Sequence, residues 1–168
     1  VLARRGGLGV LPQDLPLQDL DAAIRWVKAP PTAWDTALVL GAEATVAEAR
    51  RMLPPAEGHG IVVGRSVDGV LRMEDVTGVV AASRLPTALS DARLGDLVHA
   101  RPIAIEAEDI RDGRAAFELI VAADAELVLV VRRGEVIGTL SRRGALRSTL
   151  YRPAVDASGR LHVAAAIG

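Results

Sequence analysis

Short apolar runs alternate along the chain with stripes of helical period. Gly6-Gly7-Leu8-Gly9-Val10-Leu11 is entered by glycines, stopped by Pro12, and reads as a buried strand. After Pro16, apolar residues fall at Leu17, Leu20, Ile24 and Val27, one stripe of an amphipathic helix over 17–28 that ends before Pro30-Pro31. From Thr36 a second pattern begins. Leu38-Val39-Leu40 is a short strand, and Thr45-x-x-Glu48 is a capping-box signature for a helix ending at Pro54-Pro55. Ile61-Val62-Val63 and Val76-Thr77-Gly78-Val79-Val80 are the next strands, the latter leading into Ser83-Arg84-Leu85.

The pattern then recurs. Ile103-Ala104-Ile105 opens it, and a helix follows with Ile110, Phe117, Ile120 and Val121 on one face, Asp109 being the candidate cap. Leu127 to Val131 is a continuous apolar strand, Arg132-Arg133-Gly134-Glu135 a hairpin turn, and Val136 to Leu140 its partner. Ser141 opens the last helix. The order is strand, helix, strand, strand, helix, twice over, with a period of roughly sixty residues, too long and too few for a solenoid. The first copy carries the longer hairpin, Gly64 to Asp75. Units this small are marginal alone, so two packed face to face around a cleft are the natural solution.

Composition narrows the chemistry. The 168 residues carry 20 basic and 21 acidic side chains, net −1, so no charge excess points to nucleic acid or an anionic membrane surface. No stretch approaches the ~20 apolar residues of a membrane span. With Trp26, Trp34, Phe117 and Tyr151 as its only aromatics, the chain must build its core from Val, Leu, Ile and Ala. Cysteine is absent, which removes disulfides, thiolate metal sites and thiolate nucleophiles. His59, His99 and His162 are scattered without metal spacing. The chain opens at Val1 with no signal-peptide pattern and reads as a piece of a longer cytoplasmic protein.

The repeat resembles a pair of cystathionine β-synthase (CBS) motifs, a Bateman module. The residues that carry the likeness are the Gly95-Asp96-Leu97 lead-in, the paired strands, and the turns Gly78-Val79-Val80-Ala81 and Gly138-Thr139-Leu140-Ser141. Arg5-Gly6-Gly7-Leu8-Gly9-Val10-Leu11 before the pair, and Gly159-Arg160-Leu161-His162-Val163-Ala164-Ala165-Ala166-Ile167-Gly168 after it, resemble the barrel strands that bracket the CBS pair in the IMP dehydrogenase and GMP reductase family. The resemblance implies an α/β (α+β) architecture: a tandem CBS pair of βαββα repeats flanked by two strands and a helix of a (β/α)8 barrel. Residues 1–31 would be barrel strand and helix, 32–93 the first repeat, 94–150 the second, and 151–168 the returning strand. Consecutive barrel strands are parallel neighbours, so Leu8–Leu11 and Leu161–Ala165 are expected to pair, with helix 17–28 crossing between them. Without the rest of the barrel, that small sheet would expose edges and an apolar face, inviting self-association.

Catalysis in the resembled family uses a thiolate on a purine nucleotide and a nicotinamide cofactor, NAD(P). This chain has no cysteine to offer. Gly6-Gly7-Leu8-Gly9 is no dinucleotide fingerprint, because it enters a strand instead of leaving one. The implied role is therefore regulatory: a purine nucleotide, ATP or GTP, bound between the repeats would tune the rest of the barrel. Oligomerisation without a ligand is the alternative. In nucleotide-binding CBS pairs a hydroxyl at the strand-to-helix turn holds phosphate or ribose, and an Asp three residues on takes the ribose hydroxyls. Ser141 keeps the hydroxyl here, beside Thr139, but Gly144 stands at the Asp position; the first turn has Ala81 and Arg84 instead. Phosphate contacts would then dominate. Ser141-Arg142-Arg143, with Arg147, sets guanidinium groups at a helix N-terminus, where backbone amides already favour anions. Arg84 has the equivalent place in the first repeat, and Ile103 and Val128 are candidates to line a base pocket. The same residues also fit a plain reading: Ser141 an N-cap, the arginines a solvated face, Ile103 and Val128 core. Pro12-Gln13-Asp14 departs from the main IMP dehydrogenase branch and leaves open whether the parent oxidises IMP or reduces GMP.

Overall fold

A strand whose two faces are both covered reads as an unbroken apolar run, and two such runs organise this molecule. The computed structural model describes residues 2–29, 32–53, 59–98 and 102–166. Pro30-Pro31, Pro54-Pro55, His99 and the closing Ile167-Gly168 lie outside the described residues. In chain order the elements are β1 (Gly9–Leu11), α1 (Leu17–Lys28), β2 (Val39–Leu40), α2 (Val46–Met52), β3 (Gly60–Gly64), β4 (Val76–Ala81), α3 (Leu94–Leu97), β5 (Ala104–Glu106), α4 (Gly113–Ala122), β6 (Leu127–Arg132), β7 (Glu135–Ser141), α5 (Arg142–Leu150) and β8 (Val163–Ala165).

Two three-stranded sheets share one topology. β2 runs parallel to β3, which pairs antiparallel with β4; β5, β6 and β7 repeat that arrangement. Side chains alternate across each central strand. Ile61 and Val63 of β3 pack with Val46, Val80 and Leu94 in a first core, while Val62 points the other way. Val128 and Val130 of β6 pack with Ile105, Ile120, Leu140 and Ala145 in a second core. Val62, Leu71, Leu129 and Val131 then close a third cluster, the seam that joins the two sheets. Each of these side chains, once buried, contributes on the order of 1.5–3 kcal/mol relative to exposure.

The segments that open each repeat, ahead of its first strand, cross over. Leu94 of α3, ahead of β5, is fully buried in the first core, with Leu97 and Val98 against it. Ala33 and Trp34, ahead of β2, pack on the second core. Trp34 can lie there because residue 138 is glycine: a Cβ would meet its Cδ1 at 2.2 Å. Asp35 extends the contact by exchanging two backbone hydrogen bonds with Thr139, at 2.9 and 2.8 Å.

Local signals explain most helix starts. Thr45 and Glu48 form the expected capping box on α2, and Glu48 is held below its ordinary carboxyl pKa by the Thr45 backbone N–H and hydroxyl. The cap of α4 is a correction: it is Asp112, whose carboxylate accepts from the Arg114 and Ala115 amides at 2.9 Å. Asp109 closes a 3-10 turn, Ala107–Asp109, so Ile110 precedes the helix, and Val121 is exposed instead of sharing the buried face. The helix expected after β4 is also different. Residues Ala82–Thr87 form a 3-10 helix with Pro86 inside it, which cannot supply the amide an α-helix needs there.

The flanks pair in parallel, Gly9 with Val163, Val10 with Ala164 and Leu11 with Ala165, and α1 lies against β8. Lys28 at the end of α1 reaches Asp156 at 2.6 Å. No residue of α1 is buried, and Leu8, Val10, Leu17 and Trp26 are exposed, the last two to 81% and 77%. Among the described residues, no helix is long and apolar enough to cross a membrane.

Candidate functional site

β3 starts where β4 ends, Gly60 opposite Ala81, and β6 starts where β7 ends, Leu127 opposite Ser141. Both sheets therefore open at the same end of the seam. Gly60 lets them approach: a Cβ there would meet Leu127 Cδ2 at 2.4 Å. Above this contact lies a cleft of about 540 Å³, within the range of small-molecule sites. The first repeat lines it with His59, Ala81 and Ser83; the second supplies Phe117, Glu126, Leu127 and, from α5, Arg142, Arg143 and Leu146. The second repeat thus brings both the apolar lining and two guanidinium groups at a helix N-terminus.

The amides of that N-terminus are partly spent. Ser141 is almost fully buried and its Oγ accepts from Gly144 N at 2.9 Å, while Arg142 N donates to Glu126 O at 3.0 Å. Anion affinity in this cleft falls chiefly on the side chains. Among the described residues, the Arg142 side chain pairs with the fully exposed Asp124, at 3.3 Å, a surface pair of the kind worth ~0–1 kcal/mol. Such a contact exchanges readily for a phosphate that two guanidinium N–H groups can fork onto.

Of the seven residues singled out from the sequence, the structure brings Arg142 and Arg143 to the cleft. Ser141 stands behind them as the N-cap, and Thr139 is buried in β7, its backbone tied to Asp35. Val128 is fully buried on the face of β6 that meets α4 and α5, and Ile103 is partly exposed beside β6, its carbonyl accepting from Leu129 N. Arg84 lies on the surface and donates to Leu97 O at 3.4 Å. These last three do not line the cleft, because strand alternation and the crossed lead-in segments turn them elsewhere. Arg147 faces a separate, smaller pocket. Among the described residues, no three His, Cys, Asp or Glu side chains gather as a metal set.

No protein-family model matches the chain. The GMP reductases of Mycobacterium tuberculosis and Mycobacterium bovis do: each is 34% identical over 173 residues, covering 99% of this chain and 33% of the relative. In structure the chain is similar to the GMP reductase of Trypanosoma brucei in complex with guanosine 5'-triphosphate, with a TM-score of 0.69 at 17% identity over 98% of this chain and 40% of that one. A variant of the same enzyme in complex with guanosine 5'-monophosphate gives 0.71, also at 17% identity, over 98% and 35%. The chain belongs to the IMP dehydrogenase/GMP reductase family.

It spans about a third of the length of the curated family relatives it matches. Within this family segment, the cleft residues that sequence reading overlooked are His59, Ser83, Phe117, Glu126, Leu127 and Leu146. Ser83 had a visible signal, a hydroxyl two residues beyond the Ala81 that ends β4. His59 had none, since its place follows only from the meeting of the two sheets at Gly60.

Proposed function

We propose that this segment is the regulatory CBS pair of a GMP reductase-type enzyme and that a purine nucleotide, GTP or ATP, binds in the cleft between its repeats. The observation that carries the reading is the cleft itself, which Arg142 and Arg143 line together with the apolar Phe117, Leu127 and Leu146. Guanidinium groups suit the phosphates, and the apolar lining suits a purine face. The relatives' names favour reduction of GMP as the activity of the whole protein, with a nicotinamide cofactor as hydride donor. In this chain Gly6-Gly7-Leu8-Gly9 leads into β1 and is no dinucleotide fingerprint, and no cysteine offers the thiolate that would attack the nucleotide. The share proposed for it is control: a nucleotide shifts the arrangement of the barrels only by binding one arrangement better than another.

A second reading is favoured by Gly144 and Arg84, which leave both turns without a ribose carboxylate, and by the exposed apolar residues of β1 and α1. On that reading the pair serves assembly alone. Thermal unfolding of the chain with GTP, ATP, AMP or S-adenosylmethionine at fixed ionic strength separates the two. A nucleotide at ~100 times its Kd adds ~2.7 kcal/mol to the folded state. A raised midpoint with GTP or ATP that is lost in R142E/R143E supports the regulatory site. No shift with any of them leaves the assembly module, and a shift with S-adenosylmethionine that ignores both arginines points to a different ligand.

A further inference from the structure

The cleft does not end at His59. That residue also lines a second pocket of about 110 Å³, several times the ~10–15 Å³ a single water needs and much smaller than the cleft it adjoins. Three arginines face this pocket: Arg147 from α5, and Arg4 and Arg5 from the short turn Ala3–Arg5 that precedes β1. Its single carboxylate is Asp35, which Arg4 engages as an ion pair while also donating to Trp34 O at 2.8 Å. Neither Arg5 nor Arg147 forms a side-chain ion pair with another described residue. A small pocket with three guanidinium groups and one carboxylate has a net positive charge and suits a compact polyanion, not a neutral or apolar group.

Resting on the reading that a purine nucleotide occupies the cleft, we infer that the Arg4–Arg5–Arg147 pocket takes its terminal phosphates and so distinguishes nucleoside triphosphates from monophosphates. The base and ribose lie over the cleft, where Arg142 and Arg143 hold the proximal phosphate, and the tail passes His59. Arg4 and Arg5 are not part of either repeat. They lie five and four residues ahead of β1, and the Ala3 carbonyl accepts from Ala154 N at 2.7 Å, tying this turn to the chain that returns to β8. A triphosphate would therefore bridge α5 to the β1–β8 pair, which a monophosphate is too short to do.

The test is calorimetric titration of the chain with GTP, GMP and inorganic tripolyphosphate, on wild type and on R5A/R147A. Arg4 is left in place because its pairing with Asp35 and Trp34 holds the lead-in segment. The expected result is a loss of tenfold or more in GTP affinity, GMP affinity within about twofold, and tripolyphosphate binding abolished. Equal losses for GTP and GMP, or no loss for either, would overturn the inference while leaving the nucleotide cleft standing. Tripolyphosphate bound by wild type but not by R5A/R147A, with no nucleotide bound at all, would keep the pocket and remove the purine reading.

Discussion

Replacing Gly138 by alanine tests how the lead-in segment is held over the second repeat. An added Cβ would lie 2.2 Å from Trp34 Cδ1, 2.9 Å from its Nε1 and 2.6 Å from the Asp35 carbonyl oxygen. One neighbour is a side chain that can swing away; the other is backbone that can move only if the segment lifts. Overpacking of this kind costs ~1–3 kcal/mol. Lifting the segment also strains or breaks the two Asp35–Thr139 hydrogen bonds, each worth ~0.5–1.5 kcal/mol net. Together these give about 2–6 kcal/mol, or roughly 4–24 °C in the midpoint for a chain of this size. Circular dichroism melts of Gly138→Ala read the effect directly. Gly41→Ala is the control, since nothing lies within 4 Å of its added Cβ, and it should be neutral or slightly stabilising. The double variant Trp34→Ala/Gly138→Ala should be more stable than the two single losses added together, by about 1–2 kcal/mol, with the Asp35 contact accounting for what remains. A Gly138→Ala melt within 2 °C of wild type, or strictly additive losses in the double variant, would refute the packing argument.

Two further outcomes follow from the cores and from one half-buried ion pair. Leu129→Ala, at the seam with Val62, Leu71 and Val131, should lower stability by ~2–5 kcal/mol, whereas Val121→Ala on the exposed side of α4 should stay within ~0.5 kcal/mol. Urea midpoints compare them, and equal effects would mean that the sheets do not meet through Leu129. Asp156 is held well below its ordinary carboxyl value of 3.8, chiefly by Lys28 and then by the Arg160 and Ser158 backbone amides. A depressed folded-state pKa gives stability that is present above pH 3.8 and is shed as pH falls below it. Lys28→Gln should flatten the melting midpoint against pH over that acid range, and an unchanged slope would mean that the pair contributes nothing.

The fold was legible wherever a local rule decided it. Leu127 to Val131 reads as a doubly covered strand because both of its faces find apolar partners, and Arg132-Arg133-Gly134-Glu135 turns with Arg133 and Gly134 at φ 51° and 77°. Thr45 and Ser141 cap the helices they precede. Misreadings arose where two local candidates competed or where tertiary contact chose. Asp109 and Asp112 are both plausible caps, and the 3-10 turn at Ala107–Asp109 hands the role to Asp112. Nothing in the run around Trp34 says that it will pack on the other repeat. The cleft was half legible for the same reason: Arg142 and Arg143 follow from a helix start, but His59, Arg4 and Arg5 come together with α5 only through long-range packing.

The two repeats share more than topology, and their shared parts explain why chemistry gathers on one side. In each, the central strand has a register shift near its end, at Val63/Gly64 and at Val130/Val131. In each, a strand glycine receives a side chain from the crossed lead-in, Val98 on Gly78 and Trp34 on Gly138, both with a would-be Cβ contact of 2.2 Å. They diverge just beyond. β7 runs into a nine-residue helix whose first turn is fixed by the Ser141 hydroxyl, so Arg142, Arg143 and Arg147 leave it at set angles toward two adjoining pockets. β4 ends at Ala81, which has no hydroxyl to cap with, and Pro86 keeps the following turn in 3-10 geometry, so Arg84 lies along the surface and spends a donor on Leu97 O. The scaffold is thus nearly symmetric while the cationic groups are not: Arg142 and Arg143 line the cleft, and Arg147 joins Arg4 and Arg5 of the turn before β1 in the pocket beside it.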